Sequence, residues 1–255
     1  MKSALDDTRL MSLTQVFGMR PSRLKLIAGA VRMAELSDTH TLLEVGCGNG
    51  VAAAFLSQKY GCNVVGIDSS ERMIALAAKQ AEAERLAYKV EFLVADAVNL
   101  PFPDSMFDTI ICEAVFSTLI DKEGAAKEFR RVLRSGGKLL ILDFVLRREV
   151  TKELQSQVSF LPCLARTRHL EGYIRLFEQV GFQNSYIEDY PQEVKRSGYW
   201  IAYTSGSWDK LFANLSAQFG CGSKETLDVD SLVKTCQTFS KEAGLGYALI
   251  ALTKP

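Results

Sequence analysis

The sequence lacks the features typical of proteins that bind nucleic acid, cross a membrane or leave the cell. It carries 30 basic and 30 acidic residues, so it has no excess of positive charge with which to neutralise phosphate backbones. Its longest apolar runs, such as residues 139–145, fall far short of the roughly 20 residues that span a bilayer. Asp6 and Asp7 stand where a secretory signal would be apolar. We therefore expect a cytoplasmic protein whose partners are neither nucleic acid nor membrane.

Cysteine and histidine are also scarce and scattered. The six cysteines form no Cys-x-x-Cys pair and no cluster with His40 or His169, the two histidines. Because zinc sites and disulfide frameworks need such clusters, the sequence predicts reduced thiols and no bound metal. The chain does have an ordinary globular composition, with 47% hydrophobic and 24% charged residues in 255. This size suits one large α/β domain with an insertion.

Glycine is concentrated in one stretch. A short apolar strand predicted at 41–45 runs into a loop with Gly46, Gly48 and Gly50 at alternate positions. An alanine-rich segment with good helix propensity follows from Val51. Glycines in a turn between strand and helix adopt positive φ and let the backbone approach a bound nucleoside closely. The loop is therefore predicted to be a ligand site.

Two acids follow at the ends of later predicted strands. Asp68 ends an apolar strand 22 positions after Gly46, and Asp96 follows a strand over 90–94. A carboxylate at the end of the second strand accepts hydrogen bonds from ribose hydroxyls in this architecture. Asp96 would lie at the same edge of a parallel sheet, where it can accept from an adenine amino group. The glycine loop and the two acids together predict an adenosine-binding crevice.

Strands and helices alternate along this part of the chain. Further strands are predicted over 107–112 and 138–144, with a helix over 122–133 between them. An earlier helix, after Pro21 and Ser22, is expected to cover an edge of the sheet. Five alternations of strand and helix predict an α/β protein with a doubly wound, Rossmann-like parallel sheet.

These motifs together resemble those of class I S-adenosylmethionine-dependent methyltransferases, including the quinone-pathway enzymes. The resemblance covers about residues 35–190 and depends on the order and spacing of Glu44-x-Gly46-x-Gly48-x-Gly50, Asp68, Ala95-Asp96-Ala97, Leu100-Pro101-Phe102, Phe107-Asp108 and Arg131-Val132-Leu133-Arg134-x-Gly136-Gly137. Dehydrogenases, the next candidate, carry Gly-x-Gly-x-x-Gly instead. The resemblance implies a seven-stranded, mostly parallel sheet whose sixth strand, about 184–189, pairs with an antiparallel last strand, about 246–252.

The resemblance also implies which residues would hold S-adenosylmethionine and its product, S-adenosylhomocysteine. The loop glycines would pack against the methionine and ribose parts, and Glu44 would help to place the amino group. Asp68 would take the ribose hydroxyls. The full predicted set of cofactor-binding residues is Glu44, Gly46, Cys47, Gly48, Gly50, Asp68, Ser69, Met73, Asp96, Ala97, Glu113 and Phe116. Glu113 and Phe116 would face the sulfonium and the incoming substrate.

The acceptor is expected to be a small molecule. The exit of the fourth strand, residues 112–115, lacks the Asn/Asp-Pro-Pro-aromatic run that nucleic-acid amine methyltransferases carry. In-line displacement at a sulfonium needs alignment of the nucleophile more than a general base. The candidates for a catalytic side chain are Glu113, His169 and Cys163. His169 opens a predicted helix, so a capping or solvated role is the alternative.

Two other functions stay open at this stage. Residues 161–165, with Cys163, resemble a stretch of arsenite methyltransferases in which a thiolate binds the metalloid, and Cys221 would be the second thiolate. Soft trivalent arsenic needs two or three thiolates, but the cysteine expected after the glycine loop is missing, and Cys112 is the possible replacement. The second alternative is a protein that binds S-adenosylmethionine without turnover.

The predicted organisation has four parts. Residues 1–38 form helices that cap the cofactor site, 39–190 form the Rossmann-like core, 191–244 form a helical insertion, and 245–255 form the last core strand. The insertion carries both tryptophans and two amphipathic stripes, which predict a lid or a dimer contact. The protein is expected to be a monomer or a homodimer.

Overall fold

A seven-stranded sheet forms the centre of the computed structural model, which describes residue 20 and residues 22–159, 161–197 and 229–255. The strands are β1 Thr41–Val45, β2 Asn63–Asp68, β3 Val90–Val94, β4 Phe107–Glu113, β5 Leu133–Val145, β6 Gln183–Asp189 and β7 Gly246–Thr253. Their order across the sheet is β3-β2-β1-β4-β5-β7-β6. Strands β1 to β5 pair in parallel, and β7 runs antiparallel to both of its neighbours.

Helices connect the strands. They are α1 Arg23–Ala30, α2 Val51–Tyr60, α3 Glu71–Ala83, α4 Lys122–Val132, α5 Lys152–Ser156, α6 Pro162–Ala165, α7 Leu170–Gln179 and α8 Val229–Glu242. Several of them begin at a residue that can cap free N–H groups: Ser70 Oγ accepts from Met73 N–H at 3.4 Å, and Asp121 Oδ1 accepts from Gly124 N–H at 2.8 Å. Such caps fix where each connection ends and the helix starts.

The sheet is buried on both faces because successive side chains of a strand point to opposite sides. In β1, Leu43 lies in the core on the side of α4 and α7. Its neighbour Leu42 lies in the core on the other side, with Ile27 of α1 and Leu56 of α2. A continuous apolar strand such as β1 therefore stabilises two layers at once.

The predicted doubly wound, seven-stranded sheet with an antiparallel last strand is confirmed. Two local predictions were wrong. Helix α1 packs on a face of the sheet and not on its edge, because Leu26 and Ile27 reach the core beside Leu42. Strand β5 begins at Leu133, although Arg134 to Gly137 were expected to form a turn; a register shift opposite residues 107–109 accommodates these residues.

Parts of the predicted organisation lie outside the described residues. These are the first of the two N-terminal helices and, within the insertion, residues 198–228, which include Trp200, Trp208 and Cys221. The second stripe of the insertion does form a helix, α8, whose Phe239 is fully buried beside Leu146. Across the described ranges, no helix has the length and apolar character needed to cross a bilayer.

The topology places the functional crevice. Strand β1 has β2 on one side and β4 on the other, so the connections that leave β1 and β4 diverge to opposite faces of the sheet. The carboxyl ends of parallel strands bind ligands at such a switch point. The loops after β1, β2, β3 and β4 therefore meet there.

Candidate functional site

A cavity of about 580 Å³ lies at the carboxyl ends of β1 to β4. We call it the crevice cavity. Of the predicted residues, eight line it: Gly46, Gly48, Asp68, Ser69, Met73, Asp96, Ala97 and Glu113. A cavity of this size, with a few convergent polar groups, can enclose a nucleoside-sized ligand.

The glycine loop adopts a backbone that side chains rarely allow. Gly46, Gly48 and Gly50 have φ of 72°, 57° and 79°. A Cβ on Gly46 would overlap Val115, and one on Gly50 would overlap Phe92. At Gly48 a Cβ would meet nothing within 4 Å. Gly46 and Gly50 therefore permit close packing inside the protein, whereas Gly48 leaves its space open to the cavity.

Asp68 fixes this loop. Its Oδ2 accepts from Gly48 N–H at 3.0 Å and its Oδ1 accepts from Ser70 N–H at 2.9 Å. A carboxylate oxygen has two lone pairs, so each oxygen can accept one further hydrogen bond. Since Asp68 lines the crevice cavity, that capacity faces a ligand.

The far wall of the crevice cavity comes from α3 and from the loop after β3. Met73 is 2% exposed and contacts the cavity from the first turn of α3. Asp96 Oδ1 accepts from Val98 N–H at 3.1 Å, which closes a tight turn after β3. Ala97 is buried beside it. This wall combines an apolar surface with one carboxylate.

A buried group of ion pairs lies beneath the crevice cavity. Arg23 Nη2 donates to Glu44 Oε1 at 2.7 Å, and its Nε donates to Glu113 Oε2 at 2.9 Å. Arg20 Nη2 donates to the other oxygen of Glu113 at 2.5 Å, and its Nε donates to Glu193 Oε1 at 2.6 Å. The Tyr247 hydroxyl donates to Glu113 as well. These contacts tie the segment before β1 to the end of β4.

The pKa values of the two central carboxylates move in opposite directions. Burial raises the pKa of Glu44 to about 7, although the charge of Arg23 opposes the rise. Burial acts on Glu113 too, but the nearby Arg20 and Arg23 outweigh it and hold the Glu113 pKa below its ordinary value. Glu113 therefore stays ionised and serves as the common partner of both guanidiniums.

Four predicted cofactor residues do not line the crevice cavity. Glu44 is buried under the loop with Arg23, and Cys47 is fully buried. Gly50 packs against Phe92 at the start of α2. Phe116 is fully buried and stacks on Phe177, with ring centroids 5.0 Å apart. In this geometry these residues contact the loop or the core behind the cavity wall.

The cysteines considered for catalysis or metalloid binding do not line this cavity within the described residues. Cys163 is partly buried on α6, where burial raises its pKa to about 12. Cys112 is fully buried within β4, and burial raises its pKa well above the ordinary value. Within the described ranges no His, Cys, Asp and Glu cluster could hold a metal ion. Cys236 lies near enough to Cys163 for their charges to interact, whereas the predicted partner, Cys221, lies outside the described residues.

His169 lies in a second cavity, of about 510 Å³, next to the first. We call it the basic cavity because arginines from four positions line it: Arg148, Arg166, Arg168 and Arg175. This cavity was not predicted from the sequence. The signal was present as the basic run at 166–169 and as Arg148 shortly after β5. Leu119, Ile120 and Arg166 line both cavities, so the two adjoin.

The sheet order and the glycine loop define a Rossmann-like α/β protein with its crevice at the switch point. Sequence comparison identifies its family. The profile of the methyltransferase domain family matches residues 43–141, from β1 to β5. This match and the methyltransferase relatives support the class I S-adenosylmethionine-dependent methyltransferase that the motifs indicated.

Two characterised relatives are methyltransferases. Methyltransferase GfsG of Streptomyces halstedii is 32% identical over 167 residues, which are 64% of this chain and 60% of that protein. The 27-O-demethylrifamycin SV methyltransferase of Amycolatopsis mediterranei (strain S699) is 29% identical over 230 residues, which are 84% and 77% of the two chains. The match to the first of these thus spans less than two thirds of its length.

Among solved structures, the [4+2]-cyclase SpnF has the same fold. It superposes with a TM-score of 0.67 at 24% identity and covers 91% of this chain and 82% of its own. Identity at this level supports the fold alone.

Proposed function

We propose that this protein binds S-adenosylmethionine in the crevice cavity and transfers its methyl group to a small-molecule acceptor. The observation that carries the proposal is Asp68, which shapes the glycine loop and keeps hydrogen-bonding capacity toward the cavity. Membership of the methyltransferase family supports the reaction class. The space beside Gly48 is open, so a ligand can pack closely against the backbone of the loop.

The lining residues suit the parts of such a donor. Asp68 accepts from the ribose hydroxyls. The adenine lies against Met73, with Ser69, Asp96 and Ala97 at its edges. The methionine part extends past Gly46 and Gly48 toward Glu113 and Arg23, whose opposite charges match an amino acid's carboxylate and ammonium groups.

Residues outside the cavity support this arrangement indirectly. Glu44 holds Arg23, Cys47 packs the loop against β2, and Gly50 packs it against α3 and β3. Phe116 fixes the 3₁₀ turn at 116–118, and the last residue of that turn, Thr118, lies in the cavity wall. Their role is therefore to position the groups that contact the donor.

The protein's main contribution to the reaction is alignment. The sulfonium of the bound donor supplies an activated methyl group, so the acceptor atom must be held close to it and in line. Holding two reactants in such a geometry contributes up to roughly 7–11 kcal/mol. The walls beyond Glu113, formed by Val115, Thr118 and Leu119, are where the chain would hold the acceptor.

Replacement of Asp68 tests the proposal. In Asp68→Ala the donor loses a charged acceptor for its ribose and the loop loses two hydrogen bonds. Hydrogen bonds to charged groups are worth about 1.5–3 kcal/mol, so S-adenosylhomocysteine should bind about 10–100-fold more weakly in calorimetry. Asp104→Ala removes a carboxylate that is 76% exposed and pairs with Arg131, and should leave binding unchanged.

A second variant covers the case in which Asp68→Ala unfolds. Gly48→Ala places a methyl group in the open space of the loop without contacting any protein atom within 4 Å. It should weaken S-adenosylhomocysteine binding while the far-ultraviolet circular dichroism stays native. Undiminished binding in both variants would remove the donor from this cavity.

A donor-binding protein without methyl transfer is the second candidate, because the same crevice residues would hold the donor whether or not an acceptor is methylated. It predicts binding of S-adenosylhomocysteine with no consumption of S-adenosylmethionine across a panel of acceptors. Metalloid methylation is not proposed. Cys163 does not line the crevice cavity, and its predicted partner Cys221 lies outside the described residues.

A further inference from the structure

The basic cavity concentrates positive charge. Four arginines and Lys122 line it, and Glu149 is the one carboxylate among its described lining residues. Lining residues of one sign raise the local concentration of oppositely charged ligands. The cavity is therefore suited to an anion.

Three of these arginines have no carboxylate partner within the described parts of the chain. Arg148, Arg166 and Arg168 form no ion pair there, and Arg175 contacts Glu171 only at 3.7 Å on the surface. Backbone carbonyls hold two of the guanidiniums in place. Arg166 Nη1 donates to Thr118 O at 2.8 Å, and Arg148 Nη1 donates to Lys241 O at 3.2 Å. The charges are thus fixed in position without being neutralised.

Lys122 brings a buried ammonium to the same cavity. It is 3% exposed and donates to Ser117 O at 3.0 Å and to Leu119 O at 2.6 Å. An ammonium has three hydrogens, so one donor remains. Burial, followed by the charges of Arg168 and Arg166, lowers the pKa of Lys122 to about 8, although the charge of the buried Asp143 opposes the shift. An anion in the cavity would offset the charges of the two arginines.

The start of helix α7 adds partial positive charge to the lining of the cavity. His169 is its N-cap residue and makes no side-chain cap, and both His169 and Gly172 line the cavity. The N-terminus of a helix carries partial positive charge and attracts anions. His169 Nδ1 is buried and has no hydrogen-bond partner among the described residues. Helix, imidazole and cations therefore converge on one space.

This space adjoins the proposed donor site. Leu119, Ile120 and Arg166 line both cavities. Ile120 is 82% exposed and offers an apolar surface at the junction. An acceptor lying across the junction would place its charged end among the arginines and its reactive end in the crevice cavity.

We infer that the basic cavity is an acceptor subsite that binds a multiply charged oxyanion, such as the phosphate or diphosphate of a phosphorylated small molecule. The inference rests on the proposed function, since it names the substrate class of the same site. Several unpaired cations in one space match an anion of charge −2 or more better than a single carboxylate. Guanidinium groups bind phosphate oxygens in bidentate geometry.

Inorganic pyrophosphate is the probe for this subsite. It is titrated by calorimetry into the protein saturated with S-adenosylhomocysteine, at constant ionic strength, and should bind with a 1:1 stoichiometry. The double variant Arg148→Gln, Arg168→Gln should weaken pyrophosphate binding at least tenfold. Neither residue lines the crevice cavity, so S-adenosylhomocysteine should bind the double variant within about threefold of the wild type. Arg32→Gln, at an exposed arginine outside both cavities, is the matched control and should change neither affinity.

The outcomes separate the two proposals. Absence of pyrophosphate binding, or equal binding by wild type and double variant, overturns the subsite while donor binding is unaffected. Acetate competing as well as pyrophosphate would also overturn it, because a monoanion would then suffice. Failure of the wild type to bind S-adenosylhomocysteine would instead overturn the proposed function. Should the double variant not fold, Arg168→Gln alone carries the same expectation of weaker pyrophosphate binding.

Discussion

Two groups of cations flank the crevice cavity and differ in what faces them. On one side of it, the guanidiniums of Arg20 and Arg23 are each paired with two carboxylates and are almost fully buried. Beyond Leu119 and Ile120, the arginines of the basic cavity face no carboxylate among the described residues other than Glu149. Paired buried charges fix the backbone segments that carry them, whereas unpaired charges in a cavity have their largest interaction with a ligand. The difference separates a structural cluster from a recognition surface.

Breaking the paired group should have the largest effect. Glu113→Ala removes the common partner of Arg20, Arg23 and Tyr247, and leaves each buried guanidinium with one carboxylate where it had two. Loss of one partner of a buried pair costs about 3–5 kcal/mol, so the urea midpoint should fall sharply. Glu123→Ala is the matched control, because the Glu123–Lys127 pair is about two-thirds exposed and should cost less than about 0.5 kcal/mol. Similar losses in the two variants would contradict the structural role of the cluster.

The cations of the basic cavity should make the free energy of unfolding depend on pH. The folded pKa of Lys122 is about 8, below its ordinary value of 10.5, so the unfolded chain binds more protons between these values. The free energy of unfolding should therefore rise as pH increases from 8 to 10.5, by about 1–3 kcal/mol, and this contribution is lost as pH falls through 8. Denaturant titrations at several pH values measure it.

Two variants sharpen that measurement. Lys122→Met should abolish this part of the rise, whereas Lys127→Met, at an exposed lysine on the same helix, should keep it. Saturating pyrophosphate should flatten the wild-type rise, because a bound anion favours the charged ammonium. A wild-type curve that is flat from pH 8 to 10.5 would mean that Lys122 is not held in the cationic surroundings described.

The smallest effect is expected for the arginines of the basic cavity. The double variant Arg148→Gln, Arg168→Gln loses no ion pair among the described residues, so its free energy of unfolding without ligand should change by less than about 0.5 kcal/mol. The stabilisation that pyrophosphate gives the wild type should disappear in it. A loss as large as that of Glu113→Ala would show that these arginines hold the fold together.

The fold was predictable because its signals are local. Strand β1, the alternating glycines and the acid at the end of β2 are each contained in a few residues, and their positions follow from strand and turn chemistry. The start of β5 could not be predicted in the same way. Gly136 and Gly137 are typical of a stop signal, but the pairing of β5 with β4 extends to both sides of them. Cytoplasmic location and a monomeric or dimeric state stay predictions.

The ion-pair cluster was beyond sequence reasoning for a physical reason. Glu44 pairs with Arg23, and Glu113 pairs with Arg20, a residue 93 positions away. Single charged residues on separate elements carry no periodic signal, so their pairing becomes visible only once the sheet and α1 are assembled. The basic cavity was predictable only in part. Residues 166–169 form a local run in the sequence, whereas Lys122 and Arg148 come close to that run only when the chain folds.

Asp68 holds the N–H groups of Gly48 and Ser70 through contacts made within the protein itself. The curve of the loop is therefore set in advance, and arrival of a nucleoside freezes little additional backbone motion. The association rate of the nucleoside should then be limited by its diffusion into the crevice cavity. On this basis the association rate would change far less than the residence time when the sugar's contacts are altered.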